Sequence, residues 1–463
     1  MIRLNRRLIL IIACIAASSL LAIGQTKRAT KVRQPNIIII LTDDMGFSDV
    51  GTFGGKFVAT PNIDRIAKSG MKLHQYYSGA PICSPSRVSM LTGMYPGRWN
   101  FTTYLDNKKH NREAEQIDFL NPDAPTMAKF FKNAGYATGH FGKWHMGGGR
   151  DVKNAPGFEK YGFDEHASTY ESPEPDPILT ATNWIWSEKD SVKRWDRTKY
   201  FVDKTLAFME SHKDQPCFIN LWPDDVHTPW VPRTEKEYTG KFPMNPEEEA
   251  AFKLVLQQYD VQIGRLLDGL KKSGADKNTI IIFTSDNGPL PSFRGSRAEG
   301  LRGTKLSLYE GGTRMPFIIS WPEHITAGKI DETSEINSTD LLPSLASMAG
   351  VVIPKTYKGD GIDRSSVFTR KPSRRTKDMF WEYGRNNIAY NYPKAPDKSP
   401  NLAIRSGDWK LLMNSDGTNI ELYHIVNDKK ESTNLSKSEP KLTNELKDKL
   451  LNWWSSLPKF SSK

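Results

Sequence analysis

Cysteine is scarce in this chain: 463 residues contain three, Cys14, Cys83 and Cys217. That is too few for the disulfide framework that holds small exported proteins together. Cys83 and Cys217 could still form one bridge. Cys217 lies in an apolar strand-like run, however, and Cys83 has a context of its own, so Cys217 reads as a buried thiol. The chain also lacks an internal repeat, a low-complexity tract and any recognisable nucleic-acid-binding motif; a nucleic-acid partner is therefore not expected. No long apolar run occurs beyond the N-terminus, so no transmembrane helix is expected in the mature chain.

Residues 1–7 carry three arginines, residues 8–23 are almost wholly apolar or small, and small residues flank a cleavage point at Ala22-Ile23-Gly24. This is the pattern of a secretory signal peptide over residues 1–24, which predicts an exported protein, periplasmic or secreted. Ile11-Ile12-Ala13-Cys14 also fits a bacterial lipoprotein box with Cys14 lipidated. Cleavage near Gly24 agrees better with an apolar run that continues past Cys14. At 38% hydrophobic and 25% charged residues the composition is that of a globular protein. The net charge of +11, three units of it in the leader, favours polyanionic partners such as sulfated polysaccharide or nucleic acid, and charge alone does not choose between them.

Three continuous apolar runs, 36–41, 217–221 and 279–284, and a weaker one at 136–141, have the texture of strands buried on both faces of a parallel sheet. Helical stretches alternate with them at 123–133 (stopped by Gly135), 199–211 and 246–272 (stopped by Gly274). The alternation predicts an α/β fold, a large mostly parallel sheet between helices. After about Asn337 the texture changes. A helix over 340–350 closes a catalytic domain of residues 35–350, and 351–377 is a Gly- and charge-rich connection. Short strands at 379–383, 402–405, 409–413 and 420–423 precede a helix from 440 to about 456, with Leu442, Leu446, Leu450 and Trp453 at helical spacing. Residues 378–463 thus read as a small C-terminal antiparallel sheet packed by one helix.

In such sheets ligands bind beyond the carboxyl ends of the strands. All four predicted strands lead to ionisable residues: Asp43-Asp44, Lys143 with His145, His227, and Asp286-Asn287. The acids offer the oxygen donors a hard cation such as Ca²⁺ prefers, although either pair alone could equally cap a turn. Lys143, His145, His227 and Lys305 are each ambiguous alone, as surface lysines or structural histidines. Together they would surround an anionic transition state with charge and a mobile proton. The segment Cys83-Ser84-Pro85-Ser86-Arg87 adds a further anion site: Ser84 suits an N-cap, Pro85 the first helical position and Gly93 the stop. Cys83 then sits at the positive end of a helix dipole with Arg87 one turn on.

Six motifs occur in one order: Asp43-Asp44; Cys83-x-Pro85-Ser86-Arg87; Gly142-Lys143-Trp144-His145; His227-Thr228-Pro229; Ser285-Asp286-Asn287-Gly288; and Gly303-x-Lys305 before Tyr309-Glu310-Gly311-Gly312. With Trp409-Lys410-Leu411 and Glu421-Leu422-Tyr423 near the end, the chain resembles the formylglycine-dependent type I sulfatases of the alkaline phosphatase superfamily. The resemblance implies that a formylglycine-generating enzyme oxidises Cys83 to Cα-formylglycine. The hydrated aldehyde would attack sulfur, and its second hydroxyl would let sulfate leave. It further implies one Ca²⁺ held by Asp43, Asp44, Asp286 and Asn287 beside residue 83, with Asp286 also helping to deprotonate the hydrate. Arg87 would stabilise that hydrate, Lys143 and Lys305 clamp the sulfate, His227 with Lys305 protonate the leaving oxygen, and His145 assist sulfate release.

The substrate is less legible. Trp184, Trp186 and Trp195 could stack on sugars or pack a lid, and the charged loop 106–118 could read a polyanion or be solvated surface. Asp224-Asp225 could contact substrate or belong to a solvated loop. Export, basic charge and aromatics favour a sulfated carbohydrate over a small aryl or steroid sulfate. A formylglycine-dependent phosphonate or phosphate ester hydrolase and an inactive glycan-binding homologue are the alternatives.

Overall fold

The run Asn36–Thr42 forms β1, in which every residue is buried. Ile37, Ile39 and Leu41 face one core with Val88, Leu91, Phe131 and Leu345. Ile38 and Ile40 face a second core with Phe201, Phe252, Tyr259 and Ile263. A strand apolar on both faces is thus covered on both faces by helices, as a parallel sheet requires. These relations come from a computed structural model that describes residues 34–180, 189–233, 247–298, 300–390 and 397–461. The signal segment, Cys14, Trp184, Trp186 and the expected helix start at Pro246 lie outside the described residues.

The remaining strands of the large sheet are β2 (Met71–Tyr77), β3 (Ala137–Gly142), β4 (Glu165–Ser168), β5 (Cys217–Trp222), β6 (Thr279–Ser285), β7 (Arg314–Ser320), β8 (Lys329–Asp331) and β9 (Ile336–Asn337). Their order is β4-β3-β5-β1-β6-β7-β2-β8, with β9 also on β2. The run from β4 to β6 is parallel; β7 is antiparallel to both β6 and β2. The four strands read from the sequence are therefore neighbours, β3-β5-β1-β6, and their carboxyl ends share one edge. Register aligns those ends: Gly142 opposite Trp222, and Thr42 opposite Ser285.

Two helix boundaries differ from expectation. The stretch 123–133 is helical only over Met127–Asn133, because Thr126 caps it by accepting the Lys129 N–H at 3.2 Å. The long helix spans Glu249–Ser273 and ends at Gly274 with φ 73°. Helices at Pro61–Ser69 and Arg197–Ser211 complete that face.

The second sheet is antiparallel, β10 (Met379–Glu382), β11 (Leu402–Ser406), β12 (Trp409–Met413) and β13 (Glu421–His424). The Pro440–Ser455 helix covers it through Leu446 and Leu450, with Leu442 and Trp453 packed alongside. Its other face meets the Cys83 segment: Trp381, Ala403, Leu412 and Tyr423 share a core with Tyr77, Ile82, Cys83 and Tyr309. Within that contact Lys410 is fully buried between Glu310 at 2.9 Å and Glu431 at 3.0 Å. Burial opposes ionisation of Glu310, but Lys410 and Arg314 outweigh it and pull the carboxyl down to about 2. Removing the lysine takes from the two buried acids the cation they share and leaves Glu310 with Arg314 at 3.7 Å, so K410M is expected to cost about 3–5 kcal/mol of stability. Denaturant unfolding checks this, and a loss below about 1 kcal/mol would show the cluster to be energetically idle.

Candidate active site

The Cys83–Thr92 helix is buried along its whole length. Cys83 is its first residue and Ile82 the residue before it, so Ser84 is not the cap the sequence suggested. The Ser84 hydroxyl instead accepts the Leu105 N–H at 3.0 Å, tying the helix start to the next loop. The Ser86 hydroxyl bonds the Asp286 carbonyl. Gly93 ends the helix as expected, at φ 65° with its N–H on the Ser89 carbonyl.

Cys83 Sγ lies 3.3 Å from Asp43 Oδ1 and 3.7 Å from Lys143 Nζ. Burial first, and then the Asp43 carboxylate, push the thiol well above its ordinary range, overriding the helix dipole. At neutral pH Cys83 is thus a protonated, poorly nucleophilic thiol. Neither Cys83 nor Cys217 forms a disulfide, and both are buried.

Arg87 turns back beneath the cysteine. Its Nε and Nη2 donate to Asp286 Oδ2 at 3.1 and 2.7 Å, its Nη1 donates to the Lys143 carbonyl at 2.7 Å, and Nη2 lies 3.5 Å from Asp43. One side chain therefore joins the ends of β1, β3 and β6. Asp286 Oδ1 accepts the Asp44 N–H at 3.2 Å, and Asn287 Nδ2 donates to Asp44 Oδ1 at 2.8 Å. Burial and the neighbouring Asp43 push Asp286 up to about 7. Asp43 and Asp44 stay below the ordinary range because the lysines outweigh their burial.

Lys143 Nζ lies 2.7 Å from Asp43 Oδ2, and Lys305 Nζ lies 2.7 Å from Asp44 Oδ2. Lys305 reaches the site through interlocked glycines. The Lys305 N–H donates to the Pro289 carbonyl at 2.7 Å, and the Gly288 N–H to the Gly312 carbonyl at 3.0 Å. A Cβ on Gly288 would come within 2.0 Å of the Gly311 carbonyl. Two motifs separated in sequence need glycine because their backbones touch.

His227 Nδ1 meets the Thr228 carbonyl at 2.6 Å, and since a carbonyl only accepts, Nδ1 carries the hydrogen. Nε2 therefore presents its lone pair 3.3 Å from Lys305 Nζ and 3.6 Å from Asp44. Burial and Lys305 lower this imidazole to about 4. His145 Nε2 donates in the same sense to the Leu105 carbonyl at 3.1 Å, leaving a buried Nδ1 without a hydrogen-bond partner. Burial and Lys143 keep His145 neutral. Asp44 and His145 adopt φ of 62° and 54°, left-handed backbone that concentrates at functional sites.

The catalytic and metal candidates, Asp43, Asp44, Cys83, Arg87, Lys143, His145, His227, Asp286, Asn287 and Lys305, thus converge. Among the described residues one group with metal-ligand spacing appears: single ligand atoms of Asp43, Asp44, Cys83 and His227 lie within 4.8 Å of one another. It substitutes His227 for Asp286, both of whose carboxylate oxygens are engaged by Arg87 and the Asp44 amide. Asn287 Oδ1 is buried with no hydrogen-bond partner, a hard oxygen in want of a cation. The donor set, carboxylates plus one amide oxygen, fits Ca²⁺.

Asp224 and Asp225 do not belong to a solvated loop. Both are buried: Asp224 accepts from Arg194 and from Arg197 at 2.9 Å, and Asp225 accepts from Thr198 Oγ1 at 2.5 Å. They pin the segment before His227 rather than reach solvent. Trp195 is half-buried. Sequence reasoning missed Glu171, which lies 3.4 Å from His145 and pairs with Arg150 at 3.1 Å. Only its position after β4, itself unread, could have signalled it.

The family model "Sulfatase" matches residues 35–351, and "N-sulphoglucosamine sulphohydrolase, C-terminal" matches 304–455. The N-acetylgalactosamine-6-O-sulfatase of Bacteroides thetaiotaomicron is 28% identical, covering 90% of this chain and 93% of that protein. The N-acetylgalactosamine-6-sulfatase of Mus musculus is 32% identical over 76% of this chain and 70% of its own. The crystal structure of Ps i-CgsB in complex with k-i-k-neocarrahexaose superposes with a TM-score of 0.73 at 25% identity, covering 93% of this chain and 94% of that one.

Proposed function

The chain belongs to the sulfatase family, and from that membership we propose that it hydrolyses sulfate esters of carbohydrates, with 6-sulfated N-acetylgalactosamine as the first sugar to test. The sugar is taken from the names of two relatives. The chemistry rests on one observation above others: Cys83 starts a buried helix 3.3 Å from Asp43 and 3.7 Å from Lys143, at a point where Arg87, Lys143 and Lys305 are each held by a carboxylate. Three fixed cations around one residue suit an anionic ester, and a cysteine that is the precursor of another group. The Cys83 sulfur stands where the oxygens of hydrated Cα-formylglycine would lie. That group supplies two hydroxyls on one carbon, one to attack and one to permit release.

Charge counting supports an anionic ester. Asp43, Asp44 and Asp286, when ionised, balance Arg87, Lys143 and Lys305, so a divalent cation leaves a surplus of positive charge for sulfate and nucleophile. Asp43, Asp44, Asp286 and Asn287 would hold Ca²⁺, which when bound adds Lewis-acid polarisation. Asp286, held by Arg87, is the carboxylate we assign to take a proton at residue 83. Lys143 and Lys305 orient the sulfate, and Lys305, donating to His227 Nε2, supplies the proton at the leaving oxygen through that pair. His145, with a bare Nδ1, can accept one during release.

The substrate test is sulfate release from 6-sulfated N-acetylgalactosamine saccharides against 4-nitrophenyl sulfate and 4-nitrophenyl phosphate. Preference for sulfate on sugar is expected; preference for the phosphate ester would overturn the reading. Stripping divalent ions with a chelator is expected to abolish release and added Ca²⁺ to restore it. D44N should raise the Ca²⁺ needed for half-maximal activity by about a hundredfold; full activity in chelator would contradict the metal assignment.

A further inference from the structure

An open cleft of about 1000 Å³ is lined by residues between Arg98 and Pro122 together with Phe460 and Ser461, and nothing in the mechanism above uses it. Arg98, Lys108 and Arg112 line it together with Trp99, Phe119 and Phe460. We propose that this cleft binds the flanking sugars of a sulfated polysaccharide, its cations taking sulfate or carboxylate groups beyond the one being cleaved. The proposal rests on the carbohydrate reading given above and extends it from a single residue to a chain.

Lys108 and Arg112 stand one turn apart on the Lys108–Glu113 helix and so share a face. Asn107 fixes the start of that helix by accepting the His110 N–H at 2.9 Å. Arg98 is oriented by Asp360, which accepts from Nε and Nη2 at 2.6 Å each. The one acid in the lining, Asp118, is engaged by Asn111 Nδ2 at 3.0 Å. Trp99, Phe119 and Phe460 are half-buried and belong to the lining. Cations and aromatic residues in one cleft match a sulfated glycan, whose sulfates pair with guanidinium and ammonium groups while the sugar C–H faces stack on rings.

Continuity with the active site favours this ligand over nucleic acid. Leu105 accepts from His145 and donates to Ser84, Asp106 pairs with Arg150 at 3.0 Å, and the Lys108 N–H donates to Asp151 at 2.9 Å. From Leu105, which bonds His145, to Lys108 in the cleft lining is three residues, at most about 11 Å of chain.

The test compares wild type with the K108A/R112A double variant on 6-sulfated galactosaminoglycan di- and hexasaccharides and on 4-nitrophenyl sulfate. Both residues lie outside the catalytic machinery. Wild-type kcat/KM is expected to rise with chain length. The double variant should lose that rise, falling about tenfold on the hexasaccharide through KM, with the disaccharide and the aryl ester unchanged. K108R/R112K should restore it. Wild-type hydrolysis without a chain-length effect, or an equal loss on all three substrates, overturns the cleft alone. Hydrolysis of the aryl ester with none of either saccharide overturns the carbohydrate reading, and the cleft with it. Unchanged hexasaccharide kinetics with lost binding of a DNA duplex would assign the cleft to nucleic acid instead.

Discussion

Cys83→Ser is expected to lower steady-state sulfate release by about four to six orders of magnitude, the range seen when an enzyme loses its nucleophile. Serine would fill the same buried place 3.3 Å from Asp43, so folding should be nearly unaffected. It offers one hydroxyl where the hydrate offers two. A single attack can therefore release one equivalent of alcohol and leave sulfate esterified on the serine, with no second hydroxyl to expel it. Rapid-quench kinetics with intact-protein mass spectrometry reads both halves: a stoichiometric burst of alcohol, then a stalled protein heavier by one SO3 group. Multiple turnovers at a rate within tenfold of wild type would show that residue 83 needs no second hydroxyl.

Lys305→Met carries the next largest effect, a fall in kcat of about two to three orders of magnitude. Two contacts are lost together, to Asp44 at 2.7 Å and to His227 at 3.3 Å. Burial works against the charge on Lys305, but Asp44 outweighs it, so the ammonium persists at neutral pH. Without it His227 loses the donor at its Nε2, so the pair has no ammonium proton to pass on. The effect should depend on the leaving group. Sugar sulfates, whose alkoxide must be protonated, should suffer more than 4-nitrophenyl sulfate, whose phenolate leaves unaided. Equal losses on both would reduce Lys305 to a holder of Asp44.

The parallel centre of the sheet was legible because β1, β5 and β6 are apolar on both faces and end in ionisable residues, which is what burial between two helical layers demands. The other strands were not. β2 carries Lys72, His74 and Gln75 among its seven residues, and β7 contains Pro316, so neither reads as a central strand although both sit well inside the sheet. Their places come from long-range pairing, β7 running antiparallel between β6 and β2, which no local pattern encodes. The site itself was legible as residue types at strand ends. What sequence could not give was direction: that Arg87 joins three strand ends, that Ser84 bonds Leu105 instead of capping, and that Asp224 and Asp225 are spent on Arg194, Arg197 and Thr198. Those depend on side-chain geometry between segments remote in the chain.

The central claim is that Cys83 is the precursor of the nucleophile. Mass spectrometry of the Cys83-containing tryptic peptide, from protein made in cells with a formylglycine-generating enzyme and assayed for sulfate release in the same preparation, tests it most directly. The account predicts an aldehyde at position 83, trapped by a hydrazide reagent, in proportion to specific activity. An unmodified Cys83 thiol throughout a fully active preparation would contradict it.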